Sequence, residues 1–166
     1  NAPTITSGAA FNVAENTTAV TTVTATDADL PAQSLTYTIT GGADAGLFTI
    51  NATTGALSFL TAPDFDVAGD ADADNVYDVV VEVSDGTLTD SQAIAVTVTP
   101  ANDNAPTITS GASVNVAENT TAVTTVTATD ADLPAQTLTY TITGGADSAL
   151  FTIDSTTGAL SFLAAP

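Results

Sequence analysis

The side chains with the greatest capacity for chemistry are carboxylates, and they come in groups. Glu15 precedes Asn16, Asp27 and Asp29 flank Ala28, and Asp64 and Asp66 flank Phe65. Asp70, Asp72 and Asp74 alternate with alanine ahead of Asn75, Asp85 precedes Gly86, and Asp103 lies between Asn102 and Asn104. All fall in expected loops or at expected strand ends. Oxygen donors with no nitrogen or sulfur partner suit calcium, which takes about six to eight oxygens. The chain has no His and no Cys, which removes the usual zinc and copper ligands. Asp70, Asp72 and Asp74 have the spacing that opens an EF-hand loop. That loop needs Gly and Glu where Asn75 and Val81 stand, so it is not an EF-hand. A local calcium loop and a solvated acidic turn both remain open there.

Those carboxylates must be held by something other than basic side chains. The chain carries 19 Asp and Glu residues and no Lys or Arg, for a net charge of −19. No salt bridge to a basic side chain can form, so close carboxylates must be solvated, protonated or neutralised by an external cation. Without basic residues, nucleic-acid binding and electrostatic docking on an anionic membrane are excluded as functions. Apolar residues nonetheless make up 44% of the chain, in ordered patterns that argue against disorder. No apolar run reaches the roughly 20 residues of a membrane helix.

The elements that position the acidic groups are strands. Leu35, Tyr37 and Ile39 alternate with threonines; Tyr77, Val79, Val81 and Val83 alternate with Asp78, Val80 and Glu82; Ile94, Val96 and Val98 alternate with Ala95 and Thr97. Period-two alternation rich in Thr and Val marks half-buried strands. Strands are expected over 4–13, 19–26, 35–40, 47–50, 56–60, 76–84 and 91–99, with hairpin turns at Gly41-Gly42 and Thr53–Gly55. Seven short strands in about 100 residues read as an all-β, Greek-key sandwich. Its inward set is Ile5, Val13, Val23, Leu35, Tyr37, Ile39, Phe48, Ile50, Leu57, Phe59, Tyr77, Val79, Val81, Val83, Ile94, Val96 and Val98.

The unit repeats. Residues 1–63 recur as 104–166, with 55 of 63 aligned positions identical. The expected organisation is one sandwich over 1–103 and the first five strands of a second over 104–166. Either the sequence is an excerpt of a longer array, or another chain supplies the missing strands and the subunits polymerise by strand donation.

Taken in order, these motifs resemble those of a cadherin-type domain of the bacterial surface-protein kind. Asn102-Asp103-Asn104-Ala105-Pro106 resembles the linker motif Asp-x-Asn-Asp-Asn-x-Pro. Ala14-Glu15-Asn16 resembles Pro-Glu-Asn, Asp27-Ala28-Asp29 resembles Asp-x-Asp, and Asp64-Phe65-Asp66 aligns with Leu-Asp-Arg-Glu. Asp85 matches the acidic residue that ends the sixth strand. The resemblance implies calcium at the junction between repeats. Its ligands would be Glu15, Asp64 and Asp66, the linker residues Asn102, Asp103 and Asn104, and Asp130 and Asp132 of the second copy. Asp27, Asp29 and Asp85 would serve a preceding junction and Glu118 a following one. Pro100 stands where the linker motif has its first Asp, and Asp66 is one methylene shorter than the usual Glu, so one ligand is missing and another is shortened.

The expected function is therefore a calcium-rigidified structural or adhesive repeat of an extracellular, secreted bacterial surface protein or filament, without enzymatic activity. Adjacent repeats are the expected partners. Homotypic assembly into fibres is expected through Thr-rich outer faces such as Thr22, Thr24, Thr36, Thr38 and Thr97. The competing reading is a recognition module for a carbohydrate or another protein, which an exposed aromatic cluster would support.

Overall fold

The computed structural model describes residues 1–166, which divide into two compact units, Asn1–Ala101 and Asn102–Pro166. The chain is all-β. Unit 1 contains β1 (Thr4–Ile5), β2 (Ala10–Ala14), β3 (Ala19–Thr22), β4 (Ala25–Thr26), β5 (Thr36–Gly41), β6 (Phe48–Ile50), β7 (Ala56–Phe59), β8 (Val76–Ser84) and β9 (Thr89–Thr99). Its main sheet runs β2-β9-β8-β5; a second runs β3-β7-β6; β1 and β4 pair by themselves.

The sheets form because their inward faces are apolar and β-branched. Val79, Val81 and Val83 of β8 are at most 1% exposed, as are Ile94, Val96 and Val98 of β9. Facing them are Val23, Leu57 and an aromatic group: Phe48 stacks on Phe59 at 4.5 Å, and Tyr77 meets Phe59 edge-on at 5.1 Å. Every residue of the inward set lies in this core or packs on it. Ile5, Leu35, Ile39 and Ile50 are its partly buried margin, joined by Phe11, Val20, Ala25 and Phe65.

Unit 1 differs from the sequence reading at three places. The strand expected over 4–13 is two strands serving different sheets: β1 pairs antiparallel with β4, and β2 pairs parallel with β9. The strand over 19–26 also breaks, at Val23, whose N–H donates to the Gly55 carbonyl at 2.8 Å. Gly41-Gly42 is not a hairpin turn. Gly41 pairs with Val80 across a register shift, and only glycine fits at position 42, where φ is +109° and a Cβ would lie 2.3 Å from the Asp78 carbonyl oxygen.

Unit 2 contains β10 (Thr107–Ile108), β11 (Ala122–Thr125), β12 (Ala128–Thr129), β13 (Phe151–Ile153) and β14 (Ala159–Phe162). The β11-β14-β13 sheet and the β10-β12 pair repeat the unit 1 arrangement. Residues 113–117 and 139–144, which match β2 and β5, form no strand. In unit 1 those two strands pair only with β9 and β8, which lie outside the 63 residues the two copies share. A lone extended segment leaves its backbone groups unpaired, so it gains nothing from becoming a strand. Phe151 and Phe162 still meet at 4.6 Å, but Val126, Tyr140 and Leu160 are only half-buried, where Val23, Tyr37 and Leu57 are buried.

The two copies therefore predict different costs for one substitution. Leu57→Ala should destabilise unit 1 by about 2–5 kcal/mol, and Leu160→Ala should cost unit 2 less than about 2 kcal/mol. Hydrogen exchange resolved by residue would read both, and equal losses would contradict the difference in burial.

Candidate metal centres

One end of unit 1 gathers Asp27 and Asp29, which follow β4, and Asp85, which follows β8. Each brings a carboxylate oxygen within 4.8 Å of the others, and all three are partly exposed. Backbone bonds fix their directions. Asp27 Oδ1 accepts the Asp29 N–H at 2.9 Å, and Asp85 Oδ1 accepts the N–H groups of Thr87 and Leu88, each at 2.7 Å. Those two donors, Leu88 first, hold the Asp85 carboxyl below the ordinary carboxylate range. Asp29 is lowered chiefly by its hydrogen bond with the Asn1 ammonium, which lies 2.6 Å away. Asp27 Oδ2 is buried and accepts no hydrogen bond. A buried carboxylate oxygen without a donor, beside two more carboxylates, fits a hard cation.

At the other end of the same unit stand Glu15, Asp64 and Asp66. Glu15 is 4% exposed although ionisable. Its Oε2 accepts the Phe65 N–H at 2.8 Å and its Oε1 accepts the Ala101 N–H, tying three chain segments together. Glu15 and Asp66 oxygens lie within 4.8 Å of each other. Asp64 turns Oδ1 back onto the N–H groups of Asp66 and Val67, at 2.9 and 3.3 Å. It therefore shapes the loop that presents Asp66.

In unit 2, Asp132 is 1% exposed. Its Oδ1 accepts the backbone and side-chain N–H groups of Asn104 at 3.0 and 2.8 Å, and its Oδ2 accepts from Gln136 at 3.2 Å. Burial opposes the charge on Asp132, but the Asn104 bonds outweigh it and leave the carboxyl below its usual range. Asp130 Oδ1 accepts the Asp132 N–H at 3.1 Å, as Asp27 does for Asp29. Asn104 also donates to Asp103 at 3.1 Å, and Asn102 donates to Gln136. Asn1 repeats the Asn104 contact in the first copy, donating from its side chain to Asp29 at 2.7 Å. Gln136 was missed in the sequence because a lone amide has no motif; its offset of four from Asp132 was the available signal. Glu118, the counterpart of Glu15, is exposed.

Asp70, Asp72 and Asp74 also lie within 4.8 Å of one another. Asp70 is 8% exposed and accepts from the N–H groups of Asp74 and Asn75, at 2.9 and 3.2 Å. Burial pushes its carboxyl up, but those donors prevail and the net shift is downward. Asp72 is raised, first by the charge on Asp74. Asp70 thus serves its own loop, and Asp72 and Asp74 are solvent-facing. Asp44, which no motif marked, is another buried carboxylate with a structural task. It is 4% exposed and accepts from Ala71 and Asp78, both at 2.8 Å, so it clamps the start of β8.

No helix is long and apolar enough to cross a membrane. The Cadherin domain family matches residues 9–99. Cadherin-16 of rabbit (Oryctolagus cuniculus) is 36% identical over 152 residues, covering 82% of this chain and 18% of that protein. The chain thus spans less than a fifth of the relative's length. Among solved structures, human protocadherin-24 EC1-2 has a TM-score of 0.79 at 23% identity, covering 99% of this chain and 78% of that one. The human desmocollin-1 ectodomain has a TM-score of 0.68 at 26% identity, covering 100% and 34%. Mouse cadherin-23 EC22-24 also gives 0.68, at 25% identity, covering 100% and 55%.

The repeat supplies an internal control for the effect of charge on a turn. Asn51 Oδ1 accepts from Thr53 and Thr54 at 3.0 and 2.9 Å; Asp154 Oδ1 accepts from Thr156 and Thr157 at 3.0 and 2.8 Å. Those N–H groups, Thr157 first, lower the Asp154 carboxyl below its ordinary value. A depressed folded pKa stabilises above the unfolded value of about 4, and that support is lost as pH falls through the folded value. Acidification below about pH 4 should loosen the 154–158 turn before the 51–55 turn, read by amide exchange. Asp154→Asn should abolish the difference; a turn at 51–55 that is equally acid-labile would contradict it.

Proposed function

Because the chain belongs to the cadherin domain family, we propose that it is a calcium-stiffened structural and adhesive repeat segment of an extracellular protein. The observation that carries the reading is Asp27 Oδ2, buried without a donor among three converging carboxylates in a chain with no basic side chain. Asp27, Asp29 and Asp85 hold calcium at one end of repeat 1–103. Glu15, Asp64 and Asp66 act with the linker residues Asn102, Asp103 and Asn104 and with Asp130 and Asp132 of repeat 104–166, as the linker motif implies, and Glu118 serves a following junction. The support within each unit is preorganisation: Glu15 and Asp132 are buried and oriented by backbone N–H groups before any ion arrives. The Asp70–Asp74 loop is a weaker claimant, since Asp70 already spends its oxygens on Asp74 and Asn75.

Near-identity of the copies supports a spacer or filament function over a specialised binding head, because length and valency come from repetition. Thr22, Thr24, Thr36, Thr38 and Thr97 are exposed and uncharged, which supports homotypic packing once bound cations cancel the acidic ends. Carbohydrate recognition has less support: Phe48, Phe59 and Tyr77 are core residues. The secreted, bacterial-surface setting rests on the motifs, since the relatives above come from rabbit, human and mouse.

The test is calcium titration of the chelator-treated chain by calorimetry, with small-angle scattering before and after. Saturable binding and a more extended, stiffer particle are expected. Melting should rise with calcium, by about 2.7 kcal/mol of stability at a hundredfold excess over Kd, and respond less to magnesium. Asp27→Asn with Asp85→Asn should remove one class of sites. No heat at millimolar calcium would overturn the reading.

A further inference from the structure

Unit 1 carries a groove of about 470 Å³ lined by Leu47, Phe59, Leu60, Asp64, Val67 and Tyr77. All of its lining lies between Gly46 and Tyr77, so the groove is built within one unit. Unit 1 exposes five large apolar side chains, Leu30, Leu47, Leu60, Val67 and Leu88, and three of them meet here. Leu60 and Val67 are 62% and 71% exposed, whereas Phe59 and Tyr77 belong to the core. Single exposed leucines need no explanation. A cluster that shares one groove with two buried rings is contiguous apolar surface, and such patches mark interaction sites.

Two polar groups of the groove are only partly used by the fold. The Tyr77 hydroxyl oxygen accepts the Gly69 N–H at 3.1 Å, and its own hydrogen goes to no group of the chain. Asp64 turns Oδ1 onto the N–H groups of Asp66 and Val67 and leaves Oδ2 without a donor. The field here is negative. Burial pushes the Tyr77 hydroxyl above its ordinary range, the Gly69 bond opposes the shift, and the charges on Asp70, Asp44 and Asp64 add to it. A chain without Lys or Arg has no side chain of its own to answer that field. A second copy, with a net charge of −19, is repelled from it.

We propose that this groove docks a basic, apolar peptide segment of a partner protein. A branched aliphatic side chain of the partner lies among Leu47, Leu60 and Val67. A neighbouring Lys or Arg reaches Asp64 Oδ2, and a peptide carbonyl takes the Tyr77 hydroxyl hydrogen. Charge complementarity selects this occupant. An acidic segment is repelled, and a wholly apolar one fills the walls but leaves the Asp64 charge unanswered. The inference stands apart from the calcium reading and is tested in chelator, so the failure of one is distinct from the failure of the other.

The probe is a capped Lys-Leu-Leu-Lys peptide titrated into the full 166-residue chain, followed residue by residue in amide NMR spectra. Saturable shifts are expected at Leu47, Phe59, Leu60, Val67 and Tyr77, and none at Asp27, Asp29 and Asp85, an acidic cluster outside the groove. Alanine for both peptide leucines, or Leu60→Ser with Val67→Ser in the chain, should weaken binding about tenfold, the worth of one apolar side chain kept in water. Leu60 and Val67 are exposed, so that variant should keep its fold. Asp64→Asn should weaken binding about threefold, the scale of an exposed ion pair. It should keep its loop, because the Asn51 amide oxygen likewise takes two N–H groups. No saturable shifts, shifts spread over all the acidic loops, equal binding of a Glu-Leu-Leu-Glu peptide, unchanged affinity of the double serine variant, or self-association through the groove that the peptide does not displace would each overturn the proposal.

Discussion

The structure depends on one constraint: a chain with 19 carboxylates has no basic side chain to answer them. Burying an unanswered carboxylate costs several kcal/mol. Glu15, Asp44, Asp70 and Asp132 are buried all the same, and each is met by backbone N–H groups, with Asn and Gln side chains helping at Asp132. The carboxylates thus replace salt bridges as the ties between distant segments. Glu15 joins the end of β2 to the loop at Phe65 and to Ala101; Asp44 joins the turn after β5 to β8. Backbone donors are few and fixed in direction, so they satisfy some oxygens and leave others. Asp27 Oδ2 is left over, and only water or a cation can complete it.

The repeat separates what local sequence does from what pairing does. β3, β6 and β7 recur as β11, β13 and β14 because each finds its partner within the shared 63 residues. The segments at 113–117 and 139–144 retain nearly the sequences of β2 and β5 and still form no strand. Strand formation here is a property of the pair, as the context dependence of β propensity implies. The polar ties follow the same rule. Glu118 and Asp147 are exposed because the donors that bury Glu15 and Asp44 lie beyond the repeated segment.

Much of this was legible in the sequence. Alternation at 35–40, 76–84 and 91–99 gave the core faces correctly, since a period of two fixes which side is buried once one side is apolar. The break of 4–13 into β1 and β2 was not legible, because which sheet a strand joins depends on partners far along the chain. Gly41-Gly42 looked like a turn; its cause is close approach to β8, which no local pattern encodes. Of the acidic motifs, Asp27, Asp29 and Asp85 do come together across 58 residues, and Asp70, Asp72 and Asp74 do so locally. The sequence could not show that Asp70 and Asp64 turn their oxygens onto their own loops, nor that Asp44 is buried. Those facts depend on which backbone N–H groups the fold leaves free.

The central claim is that an external cation completes what backbone donors leave unsatisfied. A crystal grown with calcium and measured at a wavelength where calcium scatters anomalously tests it without relying on stability or shape. The account requires an anomalous peak bonded to Asp27 Oδ2 and shared by Asp29 and Asp85, at the 2.3–2.6 Å typical of calcium–oxygen contacts. An ordered water donating to Asp27 Oδ2, with no anomalous peak in millimolar calcium, would contradict it.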